Sequence, residues 1–398
     1  MNLESKGQSP FYPGQPVPVE LFVGREAEIE RIDRAARQVA LGRQQAVFIE
    51  GEYGIGKSSL ALYMRTLLEQ DPGLLGFHVL LGECKTIDDL SVAMVKAVAT
   101  SSRAYKPAAF DRVRGVIADY IGEQTLFGVR LHLEKLRQDA PSISVGFLPF
   151  CREIFKRAGE DFKGLLLIFD EINGLASKPE FSHFLKNLYD ENALSGETLP
   201  LFLVLCGTRE RRQEIVSCHP PVARIFEIAE IAPMDQGEME NFFKRAFEKA
   251  GMSLAPEALE TFGHFSGGLP KLMHLIGDAA FYLAQQSRID LQIAWRAVVA
   301  AAAEVGRKFV DPQVYDALHS KDYHRILDKL SSLDFDLSFS KNEVAKGLSQ
   351  EEKKKFDNFL QRMKKLKVLV SGAERGEYVF CDRLTRLYLE FRNLEPKK

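Results

Sequence analysis

The chain has 398 residues, 45% of them hydrophobic and 27% charged, with a formal net charge of −2. That length predicts two or three domains, and the composition is ordinary for a globular protein in water. The near-neutral balance excludes a global pull toward nucleic acid or membrane surfaces, and no apolar run approaches the ~20 residues a spanning helix needs.

Residues 1–20 are rich in Pro, Gly, Ser and Gln, and Pro10, Pro13, Pro16 and Pro18 predict an extended arm rather than a helix. Leu21-Phe22-Val23-Gly24-Arg25-Glu26 leads into an amphipathic helix, with Ile29, Ile32, Ala36 and Val39 on one face and Gly42 closing it. Ala46 to Glu50 reads as a buried strand. It runs into Gly51-Glu52-Tyr53-Gly54-Ile55-Gly56-Lys57-Ser58, which satisfies G-x-x-x-x-G-K-[ST] at every fixed position. Ser59 to Leu68 then has helix formers and apolar residues at helical spacing. Strand, glycine-rich loop and helix are the context in which backbone N–H groups surround phosphate oxygens at a helix N-terminus. Lys57 is expected to reach the β- and γ-phosphates of a nucleotide, and the Ser58 hydroxyl to bind Mg²⁺.

Asp71-Pro72-Gly73 predicts a turn, Phe77 to Gly82 a second strand, and Leu90 to Ala99 a helix. Between 100 and 160, helical pieces surround two alternating stretches, 126–133 and 142–147, that predict short strands in an insertion. Gly164 to Phe169 is a continuous apolar run, as in a central parallel strand buried on both faces, and Asp170-Glu171 closes it. Open α/β sheets place ligands at that end of their strands. Leu199 to Cys206 predicts another buried strand ending at Gly207-Thr208-Arg209, where Thr208 also suits a helix N-cap. Ile228 to Met234 reads as the last strand of the sheet, followed by helices over 241–250, 256–265, 272–285 and 291–305.

From about 315 the pattern changes. Tyr323–Leu333, a short helix opened by the capping-box pattern Ser340-Lys341-Asn342-Glu343, and Ser349–Leu366 are three helices. Val368–Ser371 and Glu377–Cys381 form a β-wing, so the region predicts a winged helix. Residues 341–398 hold 15 Lys/Arg against 9 Asp/Glu, with Lys353, Lys354, Lys355, Arg362, Lys364, Lys365 and Lys367 clustered on or near the third helix. Such a cluster fits either duplex DNA, with Arg375 at the wing tip, or a solvated face beside a protein partner. Five scattered cysteines and the histidines His78, His132, His183, His219, His264 and His274 show no metal-ligand spacing. The cysteines predict free thiols in a reducing cytoplasm, and the absence of a charged-then-apolar leader predicts no secretion.

The glycine loop and the acidic pair together resemble those of the AAA+ ATPases, especially origin-recognition-type initiators and related STAND-like archaeal and bacterial ATPases. The resemblance spans about residues 20–390. It implies a P-loop parallel sheet over 21–232 after an arm at 1–20, a helical lid over 233–312 and a winged helix over 313–398. By resemblance, Phe22, Val23, Gly24 and Arg25 flank the adenine and Gly51 through Ser59 hold the phosphates of ATP. Asp170 joins Ser58 on Mg²⁺, and Glu171 orients the attacking water. Thr208 stands at the sensor 1 place. Arg224, in Pro220 to Phe226, stands where the family carries an arginine finger, with Arg209, Arg211 and Arg212 as competing candidates. Lys271, in Gly267-Gly268-Leu269-Pro270-Lys271, stands at sensor 2, where an arginine is usual; lysine is a point charge without the planar fork. The implied function is an ATP-hydrolysing switch coupled to DNA or to a partner, with a homo-oligomer among the expected assemblies. The alternative is a STAND-like signalling scaffold whose winged helix binds protein.

Overall fold

The computed structural model describes residues 7–101, 106–121, 146–316, 318, 320–333 and 337–394. They fall into two compact units, Pro16–Ala232 and the residues up to Gln15 taken with those from Pro233 onward. Each is described by itself.

The first is the sheet unit. Its elements alternate: α1 (Glu26–Ala40), β1 (Gln45–Glu50), α2 (Lys57–Gln70), β2 (Leu74–Leu80), α3 (Ile87–Ala99), α4 (Pro107–Ile121), α5 (Phe147–Ala158), β3 (Gly164–Asp170), α6 (Pro179–Leu194), β4 (Leu201–Gly207), α7 (Arg209–Cys218) and β5 (Glu227–Glu230). The five strands are parallel in the order β2-β3-β4-β1-β5. Every residue of β3 and β4 is buried, as strands covered by helices on both faces must be. One face is filled by a cluster that includes Phe48, Phe77, Phe110, Phe150, Phe169 and Phe181. The strand ends are level: Glu50 pairs with Gly207 and Glu230, and Leu80 with Asp170. The loops that follow β1, β3 and β4 therefore open on one edge.

Some boundaries differ from expectation. β2 begins at Leu74 and stops at Leu80, and β5 ends at Glu230, four residues before the predicted end. Phe147, read as the end of a strand, opens α5; its ring packs edge-on against Phe169 and Phe184. The strand expected over 126–133 lies outside the described residues.

The second unit is helical. α8 (Gln236–Lys249), α9 (Pro256–Ser266), α10 (Pro270–Leu283) and α11 (Leu291–Val305) are joined through β6 (Ser253–Leu254) and β7 (Arg288–Ile289), a two-stranded parallel pair. Residues before Gln15 belong here: Phe11 is buried against Phe242, Phe243, Phe247 and His274, and its ring occupies the space a Cβ on Gly277 would need. A π-helical stretch, Gly306–Tyr315, leads to α12 (Lys321–Ser331), β8 (Ser338–Ser340), α13 (Lys341–Lys346), α14 (Gln350–Lys365), β9 (Leu369–Ser371), β10 (Glu377–Phe380) and α15 (Arg383–Leu394). The order β8-β10-β9 is antiparallel, and the elements run helix–strand–helix–helix–strand–strand. β8 and α15 add to the elements expected. The predicted capping box at Ser340 does not form, because that hydroxyl makes no cap bond. The working box lies one helix later, where Ser349 accepts from Glu352 N–H and Glu352 accepts from Ser349 N–H. Among the described residues no cysteine is disulfide-bonded, with Cys84, Cys151 and Cys206 buried and Cys381 exposed, and no helix is long and apolar enough to cross a membrane.

Candidate nucleotide site

The loop from Gly51 to Ser58 leaves β1 and enters α2 with Gly54 at φ 82° and Gly56 at φ 99°, left-handed backbone that glycine adopts without a Cβ penalty. Gly56 is the N-cap of α2, so the loop ends where that helix begins, and a helix N-terminus is a ready site for an anion. A Cβ on Gly51 would meet Ile55 at 2.8 Å and the carbonyl of Ile231 at 3.2 Å, so the turn closes only with glycine there. Lys57 Nζ folds over the loop, donating to the carbonyls of Gly51 at 2.9 Å and Glu52 at 2.8 Å. Glu52 and Tyr53 are exposed and Ile55 is buried beneath them. The Ser59 hydroxyl accepts the Val17 N–H at 3.2 Å, which ties the entering chain to α2.

Arg25 explains the fixed shape of this loop. It is buried, in left-handed backbone at φ 68°, and follows Gly24 at φ 74°. Its guanidinium donates to the carbonyl of Ile55 at 3.3 Å and to that of Ala232, so it clamps the loop to the segment leaving β5. Beside it Val23 is buried, and Phe22 stacks on Tyr63 of α2 with centroids 4.5 Å apart.

Asp170 ends β3 almost fully buried, at 2% exposure. Burial alone would raise its pKa. His78, the Ser58 hydroxyl and the backbone N–H of Glu171 outweigh that and hold the carboxyl below the usual aspartate range. The Ser58 hydroxyl is thus near enough to act on Asp170, and a carboxylate near a hydroxyl is an all-oxygen donor set that fits a hard divalent cation such as Mg²⁺. Glu171 is exposed and sits in left-handed backbone at φ 57°, rare for a residue with a Cβ. Its carboxylate lies over Gly82, in the space a Cβ there would take.

Thr208 is the N-cap of α7, yet its side chain makes no cap bond. The next turn is an ionic cluster. Glu50, the last residue of β1, is buried; Arg209 Nε donates to it at 2.9 Å, Arg212 Nε donates to its other oxygen, and Arg209 also bonds Glu230 at 2.7 Å. Burial works to raise the Glu50 pKa, and Arg212 and Arg209 together lower it. Arg211 pairs with Glu214 at 2.8 Å. Of the arginine-finger candidates, Arg224 alone is exposed with no ion pair among the described residues; it ends a 3-10 turn, Pro220–Arg224.

Lys271 belongs to the helical unit, in the first turn of α10. Burial lowers its pKa, and the Asp382 carboxylate nearby opposes that. Asp382 is itself pushed up by burial and caps α15 through Thr385, at 2.6 Å from its N–H and 2.8 Å from its hydroxyl. So the structure brings together residues 22–25, 51–59, 170–171 and 208 on one edge of one sheet, and sets Lys271 in the other unit. Two contributors carried no sequence signal. His78 touches Asp170 from a neighbouring strand, and Gly82 makes room for Glu171 from the loop beyond it.

A parallel five-stranded sheet with a phosphate-type loop after β1 and an acidic pair after β3 is the P-loop NTPase fold. Residues 21–205 match the AAA ATPase domain family. Among solved structures the chain is similar to the ORC2 protein of Aeropyrum pernix, described in ADPNP–ADP complexes. The TM-score is 0.59 and the identity 12%, covering 96% of this chain and 94% of that one. It is also similar to the Walker-type ATPase PABY2304 of Pyrococcus abyssi, with TM-score 0.56 and 16% identity over 92% and 96% of the two chains. At such identities the likeness is one of fold. No curated protein sequence matches the chain significantly.

Proposed function

We infer that this chain binds ATP with Mg²⁺ at the loop 51–58, hydrolyses it, and couples the nucleotide state to duplex DNA held by its winged helix. The observation that carries the nucleotide reading is the loop 51–58, with Gly56 at the N-cap of α2 and Lys57 folded over it, set on the same sheet edge as the buried Asp170. The N–H groups at the start of α2 bind phosphate oxygens, and Lys57 trades its two loop carbonyls for the β- and γ-phosphates. Bound Mg²⁺ supplies charge neutralisation on the phosphate oxygens, held by Ser58 and Asp170. Glu171 orients the attacking water and accepts its proton. The Thr208 hydroxyl, unused as a cap, is available to the water or the γ-phosphate. Arg224 is assigned to a second copy's nucleotide, because Arg209, Arg211 and Arg212 are held by carboxylates of their own chain.

The DNA reading rests on α14. Lys354, Asn358, Gln361, Arg362 and Lys365 recur at helical spacing and are all exposed. Bases for phosphates alternate there with amides able to meet base edges. Lys355 is committed to Asp322 and Lys364 to Ser371. The test is a filter or anisotropy titration with a duplex at several salt concentrations. Wild type should weaken steeply with salt, and Lys354→Glu with Lys365→Glu should lower the slope by about two. Binding without a salt slope would favour the protein-partner reading. Calorimetry with Mg-ATP on wild type and Lys57→Ala tests the nucleotide half, which fails if the wild type takes up none.

A further inference from the structure

Asp170 is held by a histidine that no nucleotide motif contains. On β2 the side chains alternate: Leu75, Phe77 and Val79 enter the cluster on one face of the sheet. Gly76 and His78 therefore face the α2 side, where Gly76 lies against Arg65 and Glu69 of that helix. β2 runs beside β3 with Leu80 opposite Asp170. His78 thus sits two residues behind the acid, and its ring reaches forward until Nε2 is 3.1 Å from Asp170 Oδ2. The other oxygen, Oδ1, accepts the Glu171 N–H at 2.9 Å. An ionised carboxylate has only lone pairs to offer, so Nε2 carries the proton and donates. Ring and acid are both nearly out of solvent, at 12% and 2% exposure, where water competes poorly for that bond.

We propose that His78 is a positioning residue that fixes the plane of the Asp170 carboxylate and so sets the oxygen this acid presents to a divalent cation. The inference rests on the nucleotide reading of the site. Without the ring, the carboxylate keeps only the Glu171 N–H on Oδ1, and it can rotate about its Cβ–Cγ bond. Outer partners of this kind change metal affinity about 10–100-fold when removed. Packing alone predicts something different, because a thioether or aliphatic chain of similar bulk would then serve as well as a donor.

The experiment uses the full chain as wild type, His78→Ala, His78→Gln and His78→Met, with a fluorescent ATP analogue titrated in EDTA and across a Mg²⁺ series. His78→Ala should raise the Mg²⁺ concentration for half-maximal tightening about tenfold, while affinity in EDTA stays within about twofold of wild type. His78→Gln, whose amide N–H₂ can reach the same oxygen, should recover most of the loss, and His78→Met should not. An unchanged Mg²⁺ midpoint in His78→Ala, equal recovery by methionine, or an equal loss in EDTA would each overturn the proposal while leaving the nucleotide site standing. A wild type whose binding ignores Mg²⁺ would remove both.

Discussion

Glu50 gives the most exacting test of how the ligand edge is held. Its side chain is 3% exposed and lies between Arg209 and Arg212, which are 54% and 30% exposed. Charge-assisted hydrogen bonds contribute about 1.5–3 kcal/mol each when a partner is removed. Both guanidinium groups can turn toward water, and Arg209 keeps Glu230, so only part of the two-bond total is lost. Glu50→Gln, which keeps shape and one acceptor oxygen, should therefore cost about 2 kcal/mol. For a unit the size of Pro16–Ala232, that is a drop of about 4–8 °C in its thermal transition. The pH dependence has a definite sign. The folded pKa of Glu50 is lowered, so its stabilisation is complete above the ordinary glutamate value of 4.5 and disappears as pH falls through the lower folded value. Urea denaturation of wild type and Glu50→Gln at pH 7 and at several values below 4.5 should show the gap closing on acidification. A double-mutant cycle with Arg212→Met should give a coupling above about 0.5 kcal/mol. A gap that widens in acid, or a coupling indistinguishable from zero, would refute the assignment of the pair as the stabilising contact.

Gly82→Ala should push the Glu171 carboxylate from its seat, lowering single-turnover hydrolysis about tenfold or more with little change in nucleotide affinity; rapid-quench kinetics beside equilibrium binding separates the two. Phe11→Ala removes a buried ring from the Phe242, Phe243 and Phe247 cluster and should cost the helical unit about 3–5 kcal/mol, read by calorimetry. Ser349→Ala breaks the reciprocal cap of α14 and should cost about 1 kcal/mol; the same change at Ser340, whose hydroxyl caps nothing, should cost much less. Arg224→Ala should leave the turnover of dilute protein unchanged and lower it at concentrations where copies associate, so a concentration series of ATPase rates tests the assignment in trans.

The parts legible in the sequence were those whose signal is local. The loop 51–58 is read from spacing alone, and β3 from six residues with no polar break before Asp170. The parts that escaped depend on contacts between distant positions or on very short elements. His78 is 92 residues from Asp170 and becomes its neighbour only through the β2–β3 register. β8 is three residues long and is defined by pairing with β10 rather than by a pattern of its own. Ser340-x-x-Glu343 and Ser349-x-x-Glu352 carry the same capping pattern, and only the second closes. There Glu352 is buried and also bonds Lys329 at 2.7 Å, a tertiary contact that holds its carboxylate at the cap. The alternation over 142–147 misleads at Phe147 because it carries no trace of Phe169 and Phe184, the aromatic partners that draw the ring into the sheet's core.

The seat of Phe11 bears on how the molecule is made. Its aromatic partners at Phe242, Phe243 and Phe247 lie more than two hundred residues further along, beyond the whole sheet unit. At a synthesis rate of about 5–20 residues per second, this ring waits roughly ten to fifty seconds before its pocket exists. The sheet unit is translated during that interval and can fold with an apolar side chain still dangling upstream. A nascent chain stalled near residue 235 would therefore present Phe11 to chaperones, and one released past residue 285 would hide it.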